Sequence, residues 1–103
     1  MIRHFAALRF KAETSEHTKA QLMADLSNVA GEIDGAIDFQ VRTNISVEEA
    51  LVRGFRHLYW WDFRDLEARD AYLEHPVHHD VGPRILEELE GGPDGLFIFE
   101  HKV

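Results

Sequence analysis

Cysteine is missing from this chain of 103 residues, which removes disulfides, thiolate nucleophiles and cysteine-based metal sites. Proline is scarce, at three residues, so each one marks a constrained point of the backbone. No apolar run approaches the ~20 residues of a membrane span. The opening Met1-Ile2-Arg3-His4-Phe5 lacks a signal-peptide core. A cytoplasmic location with no membrane partner is the expectation. Basic charge is also short: 11 Lys and Arg stand against 19 Asp and Glu, a formal charge of −8. Such a surface repels phosphate backbones, and the arginines are scattered without a stripe, so no nucleic-acid partner is expected. Repeats, low-complexity stretches and linkers are absent too. The length and the 45% hydrophobic content suit one domain over residues 1–103.

What is present is strong periodicity. Residues 2–10 alternate, with Ile2, His4, Ala6, Leu8 and Phe10 on one face of a strand. Thr14 and Ser15 are candidate N-caps for a helix whose apolar stripe runs from Leu22 through Leu26 to Ile33. Residues 36–44 alternate again, with Ile37, Phe39 and Val41 together. Residues 45–53 read as a loop with one helical turn. Residues 54–63 form the strongest strand, with Phe55, His57, Tyr59, Trp61 and Phe63 on one face. A helix from Asp65 is expected to end at His75, because Pro76 disfavours helix in its predecessor. Pro83 is expected to open a short helix. Gly91 to Gly95 make a turn, and residues 96–101 the last strand. The order β-α-β-β-α-(α)-β predicts an α+β split βαβ unit, a four-stranded antiparallel sheet with helices on one face. The other face carries Phe5, Leu58 and Trp60, too apolar to stay wet. A homodimer packed sheet against sheet is therefore expected.

The chemistry concentrates in Tyr72-Leu73-Glu74-His75-Pro76-Val77-His78. A phenol and two of the seven histidines share this run, and His4 lies on an apolar strand face elsewhere. Histidine exchanges protons near neutral pH. His78 is the candidate general base, and Tyr72 the donor to a developing enolate oxygen. Each has a plainer reading: His78 as a turn cap, Tyr72 as a core tyrosine with a satisfied hydroxyl. His75 reads as structural, satisfying backbone groups at a helix end. His4 and His57 either line a cavity or complete a buried hydrogen-bond network. His75, His78 and His79 offer no regular set of zinc ligands, so no catalytic metal is expected.

The residues Ile2-Arg3-His4-Phe5, Gly54-Phe55-Arg56-His57 and above all Tyr72-x-x-His75-Pro76-x-His78 resemble the stress-responsive α/β-barrel (Dabb) family over nearly the whole chain. The resemblance implies a ferredoxin-like subunit that dimerises through its sheets into an α/β barrel. The plant polyketide cyclases of that family place a pocket between sheet and helices. By that likeness His78 would be the catalytic histidine, Tyr72 the tyrosine that polarises the substrate, and His4 and His57 pocket histidines. Glu100 falls where those cyclases have an aspartate orienting the catalytic histidine. Leu26 falls where they have a pocket tyrosine, so the same substrate does not carry over.

The reading is thus a cofactor-independent protein with a pocket for an apolar or aromatic small molecule. The expected chemistry is proton abstraction next to a carbonyl, as in a cyclase or isomerase. His78, Tyr72 and Glu100 are the expected catalytic group, with His4, His57, Leu8, Leu26, Phe55 and Tyr59 lining the pocket. One rival is a non-catalytic stress-related dimer or ligand binder whose histidines are only a core network. Another is a cofactor-free monooxygenase-like or haem-handling protein.

Overall fold

Alternation near the N-terminus becomes β1 (Ile2–Leu8), and the rest of the chain follows as α1 (Glu16–Ser27), β2 (Ala36–Thr43), the single turn α2 (Glu49–Val52), β3 (His57–Phe63), α3 (Leu66–Glu74), α4 (Pro76–Glu87) and β4 (Leu96–Lys102). These elements come from a computed structural model that describes residues 1–103. The strands form one antiparallel sheet in the order β2-β3-β1-β4. This is the expected ferredoxin-like α+β arrangement. No helix is long and apolar enough to cross a membrane.

Local chemistry explains where the helices begin. Ser15 caps α1, its hydroxyl accepting from the Thr18 N–H at 3.0 Å. Thr14, the other candidate, instead donates to the Glu88 carboxylate at 2.8 Å. Asp65 caps α3 by accepting from the Ala68 N–H at 2.9 Å. Just beneath that cap, Gly35 has φ +93°, and a Cβ there would lie 2.9 Å from the Ala68 Cβ. Only glycine suits that contact and that angle.

One core holds sheet and helices together. Leu22, Met23 and Leu26 of α1 and Val81 and Ile85 of α4 bury against Leu8, Tyr59, Trp61 and Phe63 of the sheet. Burying a side chain such as Phe63 or Leu26 contributes roughly 2–3 kcal/mol.

Four local expectations are corrected by the structure. Pro76 does not merely stop a helix: it is the first residue of α4, and the His75 ring caps that helix by accepting from the Val77 N–H at 3.0 Å. Pro83 therefore lies inside α4 and opens nothing. Without an N–H, it leaves the His79 carbonyl without its usual helical partner. In β2, a register shift between Ala36 and Asp38 throws Ile37 out of alternation, and it is 58% exposed. Before β3, Arg53 and Gly54 take positive φ (55° and 80°), so the extended strand starts only at His57. Phe55 is thereby turned away from the face that carries His57, Tyr59 and Trp61.

The sheet face without helices carries Phe5, Leu58, Trp60, Phe97 and Phe99. Phe5 stacks on Phe99 at 4.8 Å and tilts against Trp60 at 5.7 Å. Phe97 and Phe99 are 59% and 43% exposed, so two of the largest apolar groups on this face are still in contact with water.

Candidate functional site

Sheet and helices do not close completely at β4. Beneath α3 and α4 they leave a cavity of about 710 Å³, open on one side. Its floor is the inner side of β1 and β4, where register sets His4 opposite Glu100. Tyr72 and Arg69 come from α3, one helical turn apart, and His78 from the first turn of α4. Leu26, Leu73, Leu86 and Ile98 make most of the rest apolar, as expected of a small-molecule site.

Three aromatic rings line up in this cavity. The edge of the His4 ring meets Tyr72 at 5.9 Å between centroids, and Tyr72 meets His78 at 4.9 Å. Tyr72 is wholly buried; its hydroxyl lies close to the Tyr59 hydroxyl and the Trp61 indole N–H but makes no well-formed hydrogen bond with either. Burial, and then the neighbouring Tyr59, hold its phenol far above the ordinary range, so it is a donor and never a phenolate near neutral pH. Burial likewise pushes Tyr59 up to about 12. The His78 imidazole is held below its ordinary value by burial first, then by His79 and His4. Its place in the first turn of α4 disfavours the imidazolium in the same sense. The ring is thus neutral at pH 7 and keeps a lone pair for a proton.

His4 is buried beneath this row. Its Nδ1 lies 2.8 Å from the Glu100 carboxylate. Burial, with the Arg69 guanidinium second, pushes its imidazole down to about 4. The other Glu100 oxygen takes a hydrogen bond from Arg69. The carboxylate expected to orient His78 therefore holds His4 instead. The cross-strand register between β1 and β4 decides this, because it sets His4 directly opposite Glu100.

Six of the expected site residues meet here: His4, Leu26, Tyr59, Tyr72, His78 and Glu100. Three do not. His57 packs edge-on to Phe10 at 5.0 Å at the other end of the sheet, with a buried, unpartnered Nε2. Leu8 is sealed in the core. Phe55 faces a groove on the helix-free side, beneath the Arg9 guanidinium at 4.9 Å. Arg69 was not singled out in the sequence, although its spacing of three from Tyr72 puts both on one helix face. No three His, Asp or Glu side chains converge closely enough to hold a metal ion.

Comparisons with known proteins agree with this architecture. No curated protein matches the sequence. A dimeric ferredoxin-like protein of unknown function from Jannaschia sp. superposes with a TM-score of 0.88 at 25% identity, over 99% of this chain and 98% of that one. The Arabidopsis thaliana protein At3g17210 follows at 0.85 and 23%, over 100% of this chain and 95% of that one. A hydroxynitrile lyase from Passiflora edulis shares the fold at 0.80 and 17%, over 99% and 90% of the two chains. The model of the stress-responsive A/B barrel domain matches residues 2–101. With that match over almost its full length, and with the sheet order and helix-covered cavity just described, the chain belongs to the stress-responsive A/B barrel (Dabb) family.

Proposed function

We propose that the cavity binds an uncharged, apolar or aromatic carbonyl compound and transfers a proton at the carbon next to the carbonyl, as a cofactor-independent cyclase or isomerase does. One observation carries this reading. A buried tyrosine hydroxyl with no well-formed hydrogen bond lies beside a neutral histidine in a mostly apolar cavity. A buried hydroxyl left unpaired costs stability. A ligand oxygen accepting from Tyr72 would remove that cost. His78 would take the carbon-bound proton, and Tyr72 would stabilise the enolate oxygen as charge develops on it. That a hydroxynitrile lyase has the same fold supports a catalytic reading.

The chain is read as a homodimer, packed through the aromatic face of its sheet. The dimeric relative supports this assembly. The exposed Phe97 and Phe99 support it more directly.

A second reading has an observation of its own. The contact of His4 with Glu100 and Arg69 is a satisfied polar network of the kind that stabilises a core without any reaction. On that reading the protein is a stress-related dimer or a ligand binder.

Deuterium uptake next to the carbonyl of an aryl 1,3-diketone, followed by proton NMR in heavy water, separates the two. On the proton-transfer reading His78→Asn slows protein-catalysed uptake by roughly 10²–10⁴-fold. Tyr72→Phe slows it by about 10²-fold. Thermal stability changes little, since neither variant removes a hydrogen bond made within the protein. If the wild type gives no acceleration over buffer, and the double variant loses stability without any change in diketone binding, the structural reading stands instead.

A further inference from the structure

His4 is a buried titratable group in the wall of the cavity. It has Glu100 as its neighbour on one side in the sheet and Trp61 on the other. A carboxylate oxygen can only accept, so the 2.8 Å contact with Glu100 requires the proton on the His4 Nδ1. The same carboxylate is gripped from α3 by Arg69, whose guanidinium also reaches Asp70 at 2.7 Å. The guanidinium is thus anchored at two acidic groups, and Glu100 cannot swing freely. The His4 ring makes its hydrogen bond within the protein through Nδ1, and it forms part of the cavity wall, which leaves Nε2 for a ligand.

We propose that Arg69 is a positioning residue: through Glu100 it fixes His4 in its Nδ1–H form, which makes the His4 Nε2 a second proton acceptor of the cavity beside His78. This rests on the reading of the cavity as a proton-transfer site. The groups facing His4 are Glu100 from β4, Arg69 and Tyr72 from α3, and His78 from α4. Phe63 and Trp61 of β3 complete the surround without charge. Glu100 alone would favour the imidazolium. Burial first, and the Arg69 guanidinium second, oppose that pull and keep the ring neutral.

The arrangement selects a ligand class. Two neutral rings offering lone pairs and one phenol offering a proton match a molecule with a hydroxyl or enol as well as a carbonyl. In the step itself, the His4 Nε2 takes the hydroxyl proton and the O–H electron pair stays on the ligand oxygen. The imidazolium formed keeps its Nδ1–H bond to Glu100 and, being disfavoured by burial, returns the proton to the product. A carboxylate or phosphate ligand finds no free cation here, because Arg69 is already engaged.

The test is histidine 15N NMR on the whole protein, with no ligand added. Wild type should show the His4 proton on Nδ1 at neutral pH and a titration at about 4. Arg69→Gln should raise that midpoint by about one pH unit or more, roughly tenfold in proton affinity. Arg69→Lys should restore most of the shift, and Glu100→Gln should release the fixed tautomer. A wild-type proton on Nε2, or an Arg69→Gln midpoint equal to wild type, overturns the proposal. The wild-type tautomer decides even if a variant does not fold. A wrong tautomer defeats this inference alone. A correct tautomer with no diketone chemistry defeats the proposed reaction alone.

Discussion

Acidification from pH 7 to pH 4 is expected to remove about 3 kcal/mol of folding stability through His4 alone. The buried ring binds its proton only at about 4, whereas the unfolded chain binds it near the ordinary value of 6.5. Below 6.5 the unfolded state therefore gains protons that the folded state refuses. Stability is full above the unfolded value, falls through the window from 6.5 to 4, and is constant below it as far as this residue is concerned. His57 and His78 are shifted in the same direction, each chiefly by burial, and steepen the loss. Urea unfolding at several pH values between 7 and 4 measures the slope. His4→Gln should flatten it substantially. A stability that is level across this window would show that His4 accepts its proton in the fold without cost, and that the burial around it is looser than described.

Breaking the aromatic sheet face should have an effect of similar size on assembly. Phe5 and Phe99 stack at 4.8 Å on the uncovered side of the sheet. Charged groups there would have to be desolvated in any sheet-to-sheet dimer. Truncating one well-packed interface aromatic costs about 2 kcal/mol or more. The pair Phe5→Asp and Phe99→Asp should therefore raise the dimer dissociation constant by roughly 10³-fold or more. Sedimentation velocity at micromolar concentration should show a dimer for wild type and a monomer for the variant. Because Phe99 and Leu96 border the cavity as well as the outer groove, the same variant should also weaken ligand binding. A wild-type monomer, or a variant dimer, would contradict the assigned interface.

The periodicity of the sequence carried most of the fold. Period-two runs around Ala6, Val41, Tyr59 and Ile98 fall in the strands they predicted, whereas the stripe from Leu22 to Ile33 is helical only as far as α1 runs, to Ser27, with Val29 in a 3-10 turn and Ile33 beyond it. The misses have physical causes. Ile37 and Phe55 keep a period-two spacing in the sequence but lose their face to a bulge and to two positive-φ residues. Such backbone irregularities leave no trace in hydrophobic spacing. Pro83 reads as a helix start because a proline inside a helix is costly. Here Pro76 and the His75 cap had already started the helix, which then runs through it. Tyr72, His78 and His4 stand out in the sequence as proton-bearing groups at otherwise apolar positions, and the structure brings the three to one candidate cavity. Glu100 lines the same cavity as His78 but pairs with His4. Pairing between β1 and β4 sets that partner over a separation of 96 residues, beyond any local pattern. Arg69 went unnoticed because a lone arginine on a helix is ordinarily solvated. Its role follows only from the carboxylate that another strand brings to it.

The proposed occupant of this cavity is an uncharged carbonyl compound. Chemical-shift mapping of 15N-labelled protein titrated with an aryl 1,3-diketone tests it most directly. Saturable shifts at Leu73, His78, Gly82, Leu86 and Ile98, absent from Tyr72→Phe, are the predicted result. An unchanged spectrum, or shifts confined to the outer groove around Leu51, Phe55 and Phe97, would contradict it.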